Sequence, residues 1–122
     1  MEIKYIHEPD DLQCGQAVLA MVLGMEVSEI VDLLDNDRET TLKEMKQTFE
    51  RFGVSVGRDR RQAGDKGELP ALCLLSLETP RCWHWSLYAD GVFYDPEHGV
   101  MEDFPESRRR YFWELTLPDQ TI

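Results

Sequence analysis

The chain has 122 residues, 42% hydrophobic and 10% aromatic, a composition that excludes disorder and suits one folded domain spanning 1–122. Aspartate and glutamate number 24 against 13 lysine and arginine, a formal charge of -11; Arg58, Arg60, Arg61 and the run Arg108, Arg109, Arg110 make no phosphate-neutralising stripe, so nucleic acid is excluded as the expected ligand. No segment reaches the ~20 apolar residues of a membrane helix, no basic start precedes an apolar run before Met25, and three cysteines (Cys14, Cys73, Cys82) are too few for a disulfide framework, so a cytoplasmic location with free thiols is expected.

Residues 3–6 alternate apolar and polar, as an edge strand would, and Pro9 ends them. Asp10 or Asp11 then caps a first helix in which Val18, Met21, Val22 and Met25 recur at helical spacing, so Cys14 falls in its first turn. There unpaired backbone N–H groups and the helix dipole favour a thiolate. A lone cysteine at such a place is more often a small buried hydrophobe, so a nucleophile needs a partner base as well. Gly24 suits the helix end, and Ser28 caps a second helix carrying Ile30, Val31, Leu33 and Leu34. Thr41 and Glu44 form a capping box for a third, whose stripe of Leu42, Met45, Phe49 and Phe52 is core and which Gly53 stops.

A brief strand is expected at 54–56, a polar, glycine-bearing surface loop at 57–69, and a buried strand at 71–77 with Cys73 packed inside. Further strands are expected at 83–89, 92–95 and 111–117. Helices first and strands later, without repeats or linkers, predict an α+β fold with an antiparallel sheet.

Asp90-Gly91 between two β-prone runs is a preferred two-residue hairpin turn, which pairs Ala89 with Val92 and, counting back, Ser86 with Asp95. Side chains alternate faces, so His84, Ser86 and Asp95 share one face and His84 is the diagonal neighbour of Asp95. Provided the first helix packs its N-terminus against that face, Cys14, His84 and Asp95 become nucleophile, base and orienter. Weaker candidates are set beside them. Cys82, His84 and His98 match no common zinc spacing, so no metal and no cofactor are expected. Trp83, Trp85 and Trp113 fill core or wall a cleft, His7 is exposed, and Arg108 to Arg110 form a solvated turn.

The stretch EPDDLQCGQAVLAMVLG resembles the Q-x-D-D-x-x-C-G-P-A-x-L-x-M-x-L segment around the nucleophile of papain-like cysteine peptidases of the bacteriocin-processing, double-glycine-leader type. HWSLYADGVFYDP resembles their H-[FWY]-V-V-x-x-x-x-D/N-G-x-x-x-x-D-P segment, and LPALCLLSL the strand before it. Order and spacing match over nearly the whole chain. The resemblance implies a papain-like fold, with Cys14 as nucleophile, His84 as base and acid, and Asp95 orienting the histidine.

One position departs from the family. Six residues before the cysteine the family has a glutamine whose side chain donates to the oxyanion hole; here that residue is Glu8. An ionised glutamate cannot donate, and loss of one such donor costs ~3–4 kcal/mol. Three outcomes stay open: Glu8 is protonated in a buried site, Gln13 or Gln16 donates instead, or the domain binds without cleaving. The expected function is a thiol hydrolase that attacks an amide in a peptide or protein through a thioester, with Glu8, Gln13 and Trp85 beside the reacting atoms. Glutamine deamidation or acyl transfer by the same machinery, and a non-catalytic peptide- or partner-binding module, are the alternatives.

Overall fold

A computed structural model describes residues 2–118 as three helices followed by seven strands. The helices are α1 (Cys14–Leu23), α2 (Val27–Leu34) and α3 (Leu42–Arg51). The strands are β1 (Ser55–Val56), β2 (Arg61–Gln62), β3 (Leu72–Glu78), β4 (Trp83–Ala89), β5 (Val92–Asp95), β6 (Gly99–Met101) and β7 (Arg110–Thr116). They form one antiparallel sheet in the order β1-β7-β3-β4-β5-β6, with β2 also paired to β7. The α+β expectation holds: helices pack on one face of an antiparallel sheet.

Alternation along the strands divides the core in two. Leu72, Leu74, Leu87, Ala89, Trp113 and Leu115 face the helices and pack on α1 residues such as Val18 and Leu19. Cys73, Leu75, Leu77, Tyr88, Phe93 and Phe112 face the other way, packed with Ala63, Leu69 and Phe104 from the connecting segments and Met101 from β6. Both faces of β3 are therefore covered, which explains its nearly continuous apolar run.

α3 begins at the Thr41/Glu44 capping box, buries Met45 and Phe49, and is followed by Gly53 at φ 82°. Phe52 lies outside the stripe as the C-cap and is exposed. Gly24, at φ 68°, ends α1.

Several local expectations are corrected. Residues 3–6 form no strand: Tyr5 Oη donates to the Asp95 carbonyl (2.6 Å) and Glu8 N to the Pro96 carbonyl (2.9 Å), while Ile3, Tyr5 and Ile6 pack on the helix-side core. Neither Asp10 nor Asp11 caps α1. Asp10 closes the preceding turn, accepting from Leu12 N at its side chain and from Gln13 N at its carbonyl, and Asp11 pairs with Arg81. The N-cap is Gln13, with no side-chain cap bond. α2 starts before Ser28, because Glu29 reaches back to Glu26 N (3.0 Å) and completes a capping box there. The 57–69 segment holds β2 and one 3-10 turn (Lys66–Glu68), since Ala63 inserts into the core and draws its neighbours onto β7. β6 was not anticipated: three residues with a glycine and a methionine carry little strand signal of their own.

Candidate active site

The Asp90-Gly91 turn sets the site. Asp90 and Gly91 take φ values of 49° and 91°, the left-handed pair that a tight hairpin needs, and Ala89 stands opposite Val92 as expected. That register brings His84 Nε2 to 2.7 Å from Asp95 Oδ2, with His84 96% and Asp95 wholly withdrawn from solvent.

Asp95 organises more than the sequence indicated. Its Oδ1 accepts from Glu97 N (3.0 Å) and His98 N (3.0 Å) and lies 2.8 Å from His98 Nδ1. Burial by itself would raise the Asp95 pKa; the hydrogen bonds and charge of His84, with His98, outweigh it and hold the carboxyl below the usual range. For His84, burial works against the charged ring, and bonding and charge from Asp95 and Cys14 overcome it, so the imidazolium is favoured. Glu97 and His98 were the neighbours that residue spacing left out. The signal was present in Asp95-Pro96-Glu97-His98, a turn whose leading aspartate accepts from the backbone two and three residues on.

Cys14 reaches this pair by an unforeseen route. Alternation places His84, Ser86 and Asp95 on the face turned away from α1, because Leu87 and Ala89 belong to the helix-side core. The helix does not pack on the histidine's face. Instead Trp85 N donates to Cys14 Sγ (3.3 Å). A strand N–H lies in the plane of its sheet, so the sulfur sits at the edge of β4 where β5 has ended. From that edge Cys14 acts on the imidazole, and it is half-buried. Gly15 allows the approach: a Cβ there would collide with Thr40 Oγ1. In front of the sulfur lies a cleft of about 400 Å³ walled by Leu12, Thr40, Trp83 and Trp85, with Asp11 and Glu39 on its lining.

The remaining candidates divide. Trp85 lines the cleft, and its indole N–H donates to the Thr40 carbonyl (3.0 Å). Trp83 is 48% exposed and stacks on Tyr111, whereas Trp113 is core. Gln13 Nε2 donates to the Asp37 carbonyl, and Gln16 Nε2 to those of Asn36 and Arg38, so both amides tie α1 to the loop before α3. Glu8 is 4% exposed, and its Oε1 has no hydrogen-bond partner among the described residues. Burial, opposed by His84 and reinforced by Glu97, Asp11 and Asp95, pushes its pKa up to about 7. Cys82 is exposed on the cleft and joins neither of the two side-chain clusters with metal-ligand spacing; Cys73 is buried, as expected, and burial raises its thiol to about 12. His7 is exposed.

No family model and no curated protein matches this chain. Among solved structures it is similar to the crystal structure of a double glycine motif protease from an AMS/PCAT transporter, in complex with the leader peptide. Identity is 16%, the TM-score is 0.63, and the match covers 94% of this chain and 93% of that one. At that identity the likeness is one of fold. Among the described residues no helix is long and apolar enough to cross a membrane.

Proposed function

We propose that this protein is a thiol hydrolase of the papain-like kind, cleaving an amide bond in a peptide or protein. The observation that carries the reading is the Asp95–His84 pair meeting Cys14 at the open edge of β4. In the reaction the Cys14 thiol gives its proton to His84, and the sulfur attacks the substrate carbonyl to form a tetrahedral oxyanion. His84 passes that proton to the leaving amine as the C–N bond breaks, which leaves a thioester. Water, deprotonated by His84, then releases the acid and restores the thiol. Asp95 keeps the ring oriented and supports its charged form. Trp85 walls the cleft and, through its bond to Thr40, fixes the rim. The likeness to a protease that holds a leader peptide supports a peptide as substrate.

Glu8 favours a second reading, a peptide-binding domain that does not cleave. Ionised, it would repel an oxyanion; protonated, it could donate to one, and its pKa near 7 leaves both forms accessible at neutral pH. The test that separates the readings is alkylation by iodoacetamide at pH 6 in EDTA, with the modified residue mapped by mass spectrometry. The hydrolase requires Cys14 to react faster than free cysteine and to lose that advantage in His84→Ala. Reaction no faster than free cysteine would leave the binding domain.

A further inference from the structure

The side chain of Glu8 enters the site from the N-terminal segment, which its own backbone N–H fastens to the Pro96 carbonyl. Its carboxylate converges with His84 and Glu97, the ligand-type atoms of the three all lying within 4.8 Å of one another. His84 Nδ1 is 3.8 Å from Glu97 Oε2. Glu8 Oε1 is buried and has no hydrogen-bond partner among the described residues, on the side chain that enters this group. The atoms it meets there belong to a second carboxylate and to the His84 ring. Arg81 contacts Asp11 and Glu97 from outside with a largely exposed side chain. A buried carboxylate in such a place needs either a proton or a cation.

We propose that Glu8, His84 Nδ1 and Glu97 Oε2 bind a divalent cation of the Zn²⁺ class, and that the cation, by taking the ring nitrogen that Cys14 needs as its base, withholds the thiol from reaction. One imidazole and two carboxylates, with a fourth position left open, form a donor set suited to zinc and not to magnesium or calcium. Asp95 on Nε2 fixes the proton there, so a cation that displaces the Nδ1 proton of the charged ring meets an outward lone pair, the arrangement in which metal-binding histidines are held. Zinc bonds of ~2.0–2.3 Å put tetrahedral ligand atoms roughly 3.3–3.7 Å apart, so the two glutamates need close by only about an ångström. The neighbouring group of His84, Asp95 and His98 is a poorer host. Asp95 is already occupied by both histidines and by two backbone N–H groups. The inference is independent of the hydrolase reading, since binding is measured without turnover.

The experiment is calorimetric titration of ZnCl₂ into the EDTA-stripped, dialysed chain at pH 7.5. Cys82→Ser serves as background to remove the exposed thiol, with Glu8→Gln and Glu97→Gln compared on it after circular dichroism confirms their fold. One Zn²⁺ per chain is expected, weakened at least about tenfold by either glutamine, with Mg²⁺ giving no heat. Stoichiometric Zn²⁺ should also protect Cys14 from iodoacetamide, and EDTA should reverse the protection. No binding, or binding that both glutamine variants leave unchanged, overturns the site. Binding that needs both glutamates yet leaves Cys14 open to alkylation overturns the withholding of the thiol and leaves the cation site. If Cys14 of the stripped chain is unactivated while zinc still binds through the glutamates, the hydrolase reading fails and the cation site stands.

Discussion

Replacing Glu8 with glutamine should stabilise the fold by an amount that grows with pH. Folding lifts the Glu8 pKa from 4.5 to about 7, through burial first, against His84, and then through Glu97, Asp11 and Asp95. A carboxyl with a raised folded pKa binds more protons folded than unfolded. Its contribution is therefore intact below about 4.5 and is lost as pH rises through about 7. At ~1.4 kcal/mol per unit the full loss is at most about 3.5 kcal/mol, and roughly 2.5 kcal/mol of it falls between pH 5 and pH 8.5. Water reaching the cleft side lowers that ceiling. Glutamine has nearly the same shape and does not titrate, so any packing difference it introduces is the same at both pH values and cancels. Urea unfolding of both proteins, followed by tryptophan fluorescence in EDTA, should show the advantage of Glu8→Gln rising by about 2 kcal/mol from pH 5 to pH 8.5. An advantage that stays constant to within about 0.5 kcal/mol would refute the buried, charge-crowded carboxyl.

Asp95→Ala leaves two histidines and two backbone N–H groups without their acceptor, and should cost about 3–5 kcal/mol in urea unfolding. The milder Asp95→Asn should bring the His84 pKa down, visible in a histidine NMR titration, and slow alkylation of Cys14 at pH 6. Gly15→Ala should lose about 1–3 kcal/mol, because the new methyl strikes Thr40, and Thr40→Ala in the same chain should recover part of the loss. Gly91→Ala places a side chain at φ 91° and should cost about 1 kcal/mol, read as a lower thermal midpoint with Cys14 reactivity intact. A disulfide-forming reagent should reach Cys82 and leave Cys73 untouched in the native protein, as the exposure of one and burial of the other require.

What could be read from the residues was whatever short-range chemistry decides. The Thr41/Glu44 box, the positive-φ stops at Gly24 and Gly53, and the Asp90-Gly91 reversal each depend on neighbours a few positions away, and each stands where expected. The hairpin carried the most, since a two-residue turn sets its register and the register sets the Asp95–His84 contact. Signals that depend on distant partners failed. Residues 3–6 have the alternation of a strand, but their tie is to the turn after β5, ninety residues away. β2 exists because β7 is beside it and Ala63 is drawn into the core. Even the expected trio was approached from the wrong side: alternation named the face of His84 correctly, but only the end of β5 discloses the gap through which Cys14 arrives.

The sheet order also governs when Cys14 and His84 can be brought together. β3 lies between β4 and β7, so the ribbon bearing His84 leans on a strand whose other flank stays bare until residues 110–116 have been made. During synthesis Cys14 leaves the ribosome early, His84 some seventy residues later, and β7 after both. A truncated product carries both partners without the scaffold that joins them. The meeting of Cys14 with the edge of β4 is thereby deferred until β7 is in place, a delay that comes from strand order alone.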